Sequence, residues 1–211
     1  MTADLWSGRA DAYRGAVDQQ AGDDLELLVS WAAGRTALDV ATGGGHTARR
    51  LREAGFEVVT LDPAPGMRAD VLARAEEIPF ADGSFDVVAC RIAPHHFEDV
   101  RAAVAELARV SRDLVLVEDT LYADERVEEA ERLRDPTHVR SYAEEEWRGF
   151  FEAAGLTVEE VRVLEKSRPV DTWLERAGCR GAEAGRVREL LADSIVRDEY
   201  LDRKILLRGR K

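Results

Sequence analysis

The spacing of apolar and polar positions changes several times along the chain. Trp6, Ala10, Tyr13 and Val17 recur at helical intervals, which predicts a helix over 3–20. Asp23 and Asp24 open a second helix over 25–33, with acids where the helix dipole favours them and Gly34 as its stop. From Thr36 onward, short apolar runs alternate with helical patterns. Strands are expected at 36–40, 56–61, 71–75, 85–90 and 114–117. Between them fall helices at 46–54, 66–72 and 97–110. Val100, Val104, Leu107 and Val110 share one face of the last. Beyond Asp119 a charged helical segment covers 121–135. Ser141 and Glu144 then read as a capping box for a helix through Trp147 and Phe151 to Gly155. A sixth strand is expected at 156–163, helices at 173–177 and 183–191, and a final strand at 203–208.

Strands alternating with helices imply a parallel sheet covered on both faces, in the α/β class. No stretch has the composition of a linker. The expectation is one domain over 1–211, with N-terminal helices at 1–34 and lid or insert segments at 120–142 and 167–195.

Composition narrows the chemistry. Apolar residues are 45% and charged residues 34%, as in globular chains, and 211 residues can bury a sizeable core. The formal net charge of −12 opposes a nucleic-acid partner or an anionic membrane surface. Two cysteines, Cys90 and Cys179, do not make a disulfide framework. Four scattered histidines lack metal-ligand spacing, so no metal is expected. No secretory leader or membrane span is read, and the cytoplasm is the expected compartment. Assembly is left open, a homodimer included.

The organising stretch is 36–48, TALDVATGGGHTA, which reads as strand, glycine turn and helix start. Glycine tolerates positive φ and lets a ligand lie against bare backbone, while the first N–H groups of the helix point outward. Asp39 closes this strand and Asp62 closes the next. A carboxylate at the second position suits a ribose diol, so the pair indicates a nucleoside-containing cofactor. Gly43, Gly45 and Ala48 also fit a dinucleotide fingerprint, which keeps a nicotinamide-dependent oxidoreductase open, beside a purely structural turn. Asp39, Asp62, Glu76, Arg91 and Glu118 all fall at or just after strand ends, where ligands of such sheets bind.

A second motif is more specific. Residues 75–86, AEEIPFADGSFD, taken with Leu38 to Gly45, resemble the class I methyltransferases that use S-adenosylmethionine. The likeness is to the small-molecule branch related to ubiquinone and menaquinone C-methyltransferases. Arg91-Ile92-Ala93-Pro94-His95-His96-Phe97 and the ending from Leu207 carry it further. The resemblance implies a three-layer α/β/α sandwich of the Rossmann-like methyltransferase type. Its seven-stranded sheet is mostly parallel and doubly wound, with the last strand antiparallel. It also implies a transferase acting on a small molecule.

By the same resemblance, Asp39 and the backbone from Ala41 through Gly43 to Gly45 would line the methionine part of the cofactor. Asp62 would hold the ribose, Ala75 and Glu76 would flank the adenine, and Tyr13 and Arg91 would lie near the methionine end. Two departures stand out. Ala41 replaces the first family glycine, which is tolerable if it keeps ordinary φ. Arg74 occupies the place of an acid that meets the adenine amino group, and a guanidinium cannot accept that bond. A catalytically inactive cofactor-binding protein is therefore a further reading. If the acceptor must lose a proton, His95 and His96 are the candidate bases; His138, Arg140 and Tyr142 are the candidate acceptor contacts.

Overall fold

The structure is a computed structural model and describes residues 2–211. Helices α1 (Thr2–Arg14), α2 (Val17–Gln20) and α3 (Asp23–Ser30) precede the sheet. Next come β1 (Thr36–Val40), α4 (His46–Glu53), β2 (Glu57–Leu61), β3 (Phe85–Arg91), α5 (Val100–Val110) and β4 (Ser111–Thr120). The second half holds α6 (Glu125–Arg134), α7 (Glu144–Ala153), β5 (Thr157–Pro169), α8 (Val170–Ala177), α9 (Gly181–Leu190), β6 (Ile195–Val196) and β7 (Glu199–Arg210).

The seven strands form one sheet in the order β2-β1-β3-β4-β7-β5, with β6 paired to β7. Strands β1 to β4 are parallel, and β7 runs antiparallel to both β4 and β5. Both sheet faces are apolar because neighbouring residues on each strand point opposite ways. Leu38, Val40, Val88, Cys90, Val115 and Val117 join one core with α5 and the aromatic side chains Trp147, Phe150 and Phe151 of α7. Ala37, Val87, Ala89, Leu114 and Leu116 face the other way and pack with Leu28 of α3 and Leu51 of α4. The expected three-layer α/β/α sandwich is the observed one.

A separate apolar cluster forms where β5 and β7 extend past the parallel strands. Trp173, Leu174, Val187, Leu190 and Tyr200 assemble there with Ala130 of α6. Thr120 pairs with Lys204, so this annex stands over the carboxyl edge of the sheet. Residues from the stretches 120–142 and 167–195 contribute to it, while Leu121 and Tyr142 pack into the main core.

Several local expectations change. The third strand, at 71–75, is reduced to one parallel bridge between Leu61 and Val71. The Asp70 carboxylate takes the N–H and hydroxyl of Thr60, at 2.9 and 2.7 Å, so only one rung remains for the backbone. The helix at 66–72 is a single 3-10 turn, Pro65–Met67. Ser141 does not cap α7. Its N–H is buried against Glu128, and Ala143 is the N-cap residue, its own N–H held by Glu146 at 3.0 Å. The last two long strands outrun their expected lengths because their pairing continues to Pro169 and Glu199. Of the predicted face on α1, Ala10 packs with Met67 and Ala64, against Trp6 and Tyr13. Met1 and the side chain of Val17 lie outside the described residues. Gly66 lets α1 approach, since a Cβ there would lie 2.6 Å from the Ser7 Cα.

Candidate functional site

Parallel pairing puts the carboxyl ends of β1, β2 and β3 side by side, with β1 in the middle. Chain order reverses between β1 and β3, and a crevice opens at such a switch point. The cleft found there has a volume of about 680 Å³. Its lining includes Ala41, Thr42, Gly43, Gly44 and Asp62, together with Ala75, Glu76 and Phe97 and with Tyr13, Gln19, Arg91 and Ile92.

The glycine bend is built by its own hydrogen bonds. Gly45 has φ 77° and precedes α4, and Gly43 has φ 50°. A Cβ on Gly43 would come no closer than 4.0 Å to its nearest neighbour, the Ala41 carbonyl oxygen. At Gly44 a Cβ would lie 2.6 Å from both the Tyr13 carbonyl and the His46 imidazole, so α1 is seated directly on the bend. Ala41, tolerable in place of the family glycine only if its φ were ordinary, is left-handed at φ 54°. It adopts the glycine-like conformation without being glycine, at a cost of about 1–2 kcal/mol.

Asp39 stands behind the bend rather than in the cleft. It is 1% exposed, and its carboxylate accepts the Thr42 hydroxyl at 2.6 Å and the Ala48 N–H at 3.0 Å. Burial pushes its carboxyl up to about 6, against the pull of those two donors. Because Asp39 occupies an N–H of the first turn of α4, that turn is poorly free to cradle a pyrophosphate. This opposes the nicotinamide reading.

Asp62 lines the cleft. One carboxylate oxygen accepts the Gly43 N–H at 3.0 Å and the other the Ala64 N–H at 2.9 Å. Each oxygen keeps a second lone pair. Burial pushes this carboxyl up as well. Glu76 is held by Arg74 at 3.1 Å and by the Glu98 N–H at 3.1 Å; Arg74 also reaches Glu98 at 2.9 Å. Arg74 is thus tied back at the rim by two acids.

Arg91 lines the cleft, but its guanidinium is committed elsewhere. It meets Glu118 at 2.6 Å and Asp24 at 2.6 Å, and donates to the Gln19 carbonyl at 3.2 Å. Lys166 also binds Asp24. Glu118 is therefore beneath the cleft, not in it, and Ile92 beyond it is left-handed at φ 51°.

The two candidate bases separate. His96 lines the cleft, with Nδ1 3.0 Å from the Thr137 carbonyl and its ring 4.8 Å from Trp6. His95 turns inward, its Nδ1 bonded to Asp119, and faces a second, small cavity. The three candidate acceptor contacts lie outside the cleft. His138 is buried against Glu128 at 3.1 Å. Arg140 is on the surface, paired with Glu146 at 2.9 Å. Tyr142 packs into the core beside Trp147 and Phe150. Their neighbours Pro136, Thr137 and Val139 reach the cleft instead, because a turn at 136–137, closed by the His138 N–H on the Asp135 carbonyl at 2.9 Å, sets which side chains face it. Sequence reading also missed Trp6, Ile92 and Phe97 as lining residues, whereas Gly44 falls within the backbone stretch already assigned from Ala41 to Gly45.

Comparison with known proteins identifies the family. The methyltransferase domain family matches residues 38–115. The methyltransferase YcgJ of Bacillus subtilis is 34% identical over 199 residues, covering 82% of this chain and 78% of that protein. The chain belongs to the class I S-adenosylmethionine-dependent methyltransferases. The crystal structure of YcgJ superposes with a TM-score of 0.80 over 89% of this chain and 97% of that one, at 28% identity. A demethylmenaquinone methyltransferase of Renibacterium salmoninarum is 35% identical over 89 residues, 37% of this chain and 38% of that protein. Among the described residues, no helix is long and apolar enough to cross a membrane.

Proposed function

We propose that this methyltransferase binds S-adenosylmethionine in the cleft and methylates a small-molecule acceptor. The observation that carries the reading is that the Asp62 carboxylate and the bare backbone at Gly43 open onto one cleft of about 680 Å³. That volume lies within the range of about 300–1,000 Å³ usual for small-molecule sites. Bound there, the group would supply a sulfonium methyl open to in-line displacement.

The residues divide the work. Asp62 would hold the ribose hydroxyls through its remaining lone pairs. The backbone from Ala41 to Gly45 and Tyr13 would border the methionine part, with Asp39 bracing the bend from behind. Ala75 and Glu76 would flank the adenine. Arg91 would act through its backbone, since its side chain is spent on Glu118 and Asp24. Trp6, Met67 and Phe97 make an apolar wall that limits water at the site. The expected lid segments, 120–142 and 167–195, would close over an acceptor entering past Val139. The net charge of −12 supports a small acceptor over a nucleic acid, and the cytoplasm is the compartment this reading expects.

Calorimetry with S-adenosylmethionine tests the cofactor. Saturable heat with a rise in melting temperature is expected. No heat and no thermal shift at millimolar ligand would overturn the reading, and a shift with a nicotinamide dinucleotide alone would favour the oxidoreductase.

A further inference from the structure

The cleft is divided by charge. The charged residues that line it, among those described, are Asp62, Arg74, Glu76, Arg91 and Glu98. Arg74 is paired with both Glu76 and Glu98, Arg91 is spent on Asp24 and Glu118, and Asp62 holds the Gly43 N–H. On the methyltransferase reading all of them border the donor, in the places given to its adenine, ribose and methionine. The rest of the wall carries no fixed charge: Leu5, Trp6, Phe97, Pro136 and Val139 supply it. Leu5 and Val139 are 38% and 42% exposed. Single exposed apolar side chains are ordinary, but these two open on the same cleft as Trp6 and Phe97 and extend one apolar surface. A charged acceptor entering here would shed its water without meeting a counter-charge.

His96 interrupts this wall with a polar group of fixed tautomer. Its Nδ1 lies 3.0 Å from the Thr137 carbonyl, which can only accept, and 3.1 Å from the Thr137 hydroxyl. That hydroxyl gives its own proton to Asp135 at 2.7 Å. Asp135 is 1% exposed and is held in turn by the Thr137 N–H at 3.0 Å and by Arg9 at 2.9 Å. Both neighbours of Nδ1 therefore accept, so Nδ1 carries the proton and Nε2 keeps its lone pair. Nε2 makes no hydrogen bond among the described residues, and it is not sealed off as the unpaired Nδ1 of His138 is. Burial, and then His95, hold the His96 imidazole well below its usual value, so the ring is neutral. A neutral ring with a bare nitrogen pairs with neither an anion nor, by charge, with an ammonium. It accepts from an uncharged donor, and a hydroxyl is one.

We propose that the methyl acceptor is an uncharged, apolar molecule carrying a hydroxyl, that its apolar body lies against Trp6, Phe97, Pro136 and Val139, and that its hydroxyl donates to His96 Nε2. This rests on the methyltransferase reading. His96 is then a substrate-binding residue, and Thr137 with Asp135 keeps its accepting nitrogen turned to the ligand.

Titrations at pH 7 of protein saturated with S-adenosylmethionine test the class with three probes of similar size: 2-naphthol, 2-naphthoate and 2-naphthylmethylammonium. 2-Naphthol is expected to bind, and each ion to bind at least about tenfold more weakly. An ion that binds as tightly as 2-naphthol would overturn the proposal, and so would no binding of 2-naphthol while S-adenosylmethionine still binds. Failure of S-adenosylmethionine itself to bind would instead overturn the cofactor reading. Nitrogen-resolved NMR of histidine-labelled protein locates the hydroxyl. His96 is expected protonated at Nδ1 and bare at Nε2, with the Nε2 signal moving upfield as 2-naphthol is added. A proton on Nε2, or an Nε2 signal that 2-naphthol leaves in place, would refute His96 as the partner. His96→Phe keeps an aromatic ring and loses the lone pair. It should weaken 2-naphthol by about 3–10-fold, as for one neutral hydrogen bond, and leave naphthalene within about twofold. Equal losses for the two would mean packing alone and refute the hydrogen bond. Val139→Asp, at an exposed position, gives a second variant should His96→Phe not fold. It should weaken 2-naphthol at least about fivefold and move S-adenosylmethionine by less than about twofold. Unchanged affinity for 2-naphthol in Val139→Asp would remove the acceptor from this wall.

Discussion

The Asp62 carboxylate accepts the Gly43 N–H at 3.0 Å, tying the tip of β2 across to the bend that follows β1. The same oxygens line the cleft, so one side chain shapes the bend and offers acceptors to a ligand. Asp62→Asn keeps the volume but loses the charge and turns one acceptor into a donor. A hydrogen bond to a charged group contributes about 1.5–3 kcal/mol, so affinity for S-adenosylmethionine should fall by about 10–150-fold in calorimetry. Affinity within a factor of three of the native value would remove Asp62 from the ribose role.

Ala41 at φ 54° gives the second prediction. An L-residue in the left-handed region costs about 1–2 kcal/mol, part of which glycine loses again through the greater freedom of its unfolded chain. Ala41→Gly should therefore stabilise the protein by about 0.5–1 kcal/mol. In a chain of this size the melting temperature rises by about 1–4 °C. Gly44→Ala should do the reverse and displace α1, because its Cβ would lie 2.6 Å from the Tyr13 carbonyl oxygen. Paired thermal melts decide it, and a lower melting temperature for Ala41→Gly would contradict the strain.

How much of this was legible depends on the physical source of each feature. Strand and helix order follows from apolar periodicity, a local property, and the sequence showed it. The bend and the two acids were visible for the same reason: Asp39, Gly43 and Asp62 sit at fixed offsets within one strand-turn-helix-strand unit. The direction in which side chains point was not visible. Whether Asp39 faces the cleft or the back of α4, and whether Tyr142 or Val139 reaches the cleft, depends on packing between segments distant in sequence. The Asp119–His95 pair joins the end of β4 to the 3-10 turn Pro94–His96 that follows β3, a contact that no local pattern encodes. The third strand failed because a side chain, Asp70, took the hydrogen bonds that a second rung needs.

Asp39 yields a pH prediction. Its folded pKa, about 6, lies above the ordinary value of 3.8, so the folded protein holds this proton more tightly than the unfolded chain. Below about pH 4 both states are protonated. Between about 4 and 6 only the folded state is, and stability then falls as pH rises, by up to about 1.4 kcal/mol per pH unit. Asp39→Asn removes this dependence while keeping an acceptor for the Ala48 N–H. Urea midpoints of the two proteins should diverge between pH 4 and 6.5, the native protein losing on the order of 2–3 kcal/mol relative to the variant. Parallel curves would show that Asp39 titrates normally.

Arg91 separates a structural from a ligand-binding role. Its guanidinium joins Asp24 of α3 to Glu118 of β4, with Lys166 of β5 on the same Asp24 carboxylate. These groups are buried, so removing the Arg91 cation strands the Glu118 carboxylate and leaves Asp24 with Lys166 alone, in a poor solvent for charge. Losing one partner of such a network costs about 3–5 kcal/mol. Arg91→Met should lower urea stability by that amount near neutral pH and recover part of it under mild acid, where the carboxylates take up protons. Asp24 has its carboxyl held well below the ordinary range, burial being outweighed by Arg91 first and then by Glu118 and Lys166, so removing Arg91 also raises the pH at which that carboxyl protonates. If the Arg91 side chain instead bound the donor directly, Arg91→Met would weaken S-adenosylmethionine binding far more than it weakens the fold. Calorimetry on the folded variant, set beside its urea curve, distinguishes the two outcomes.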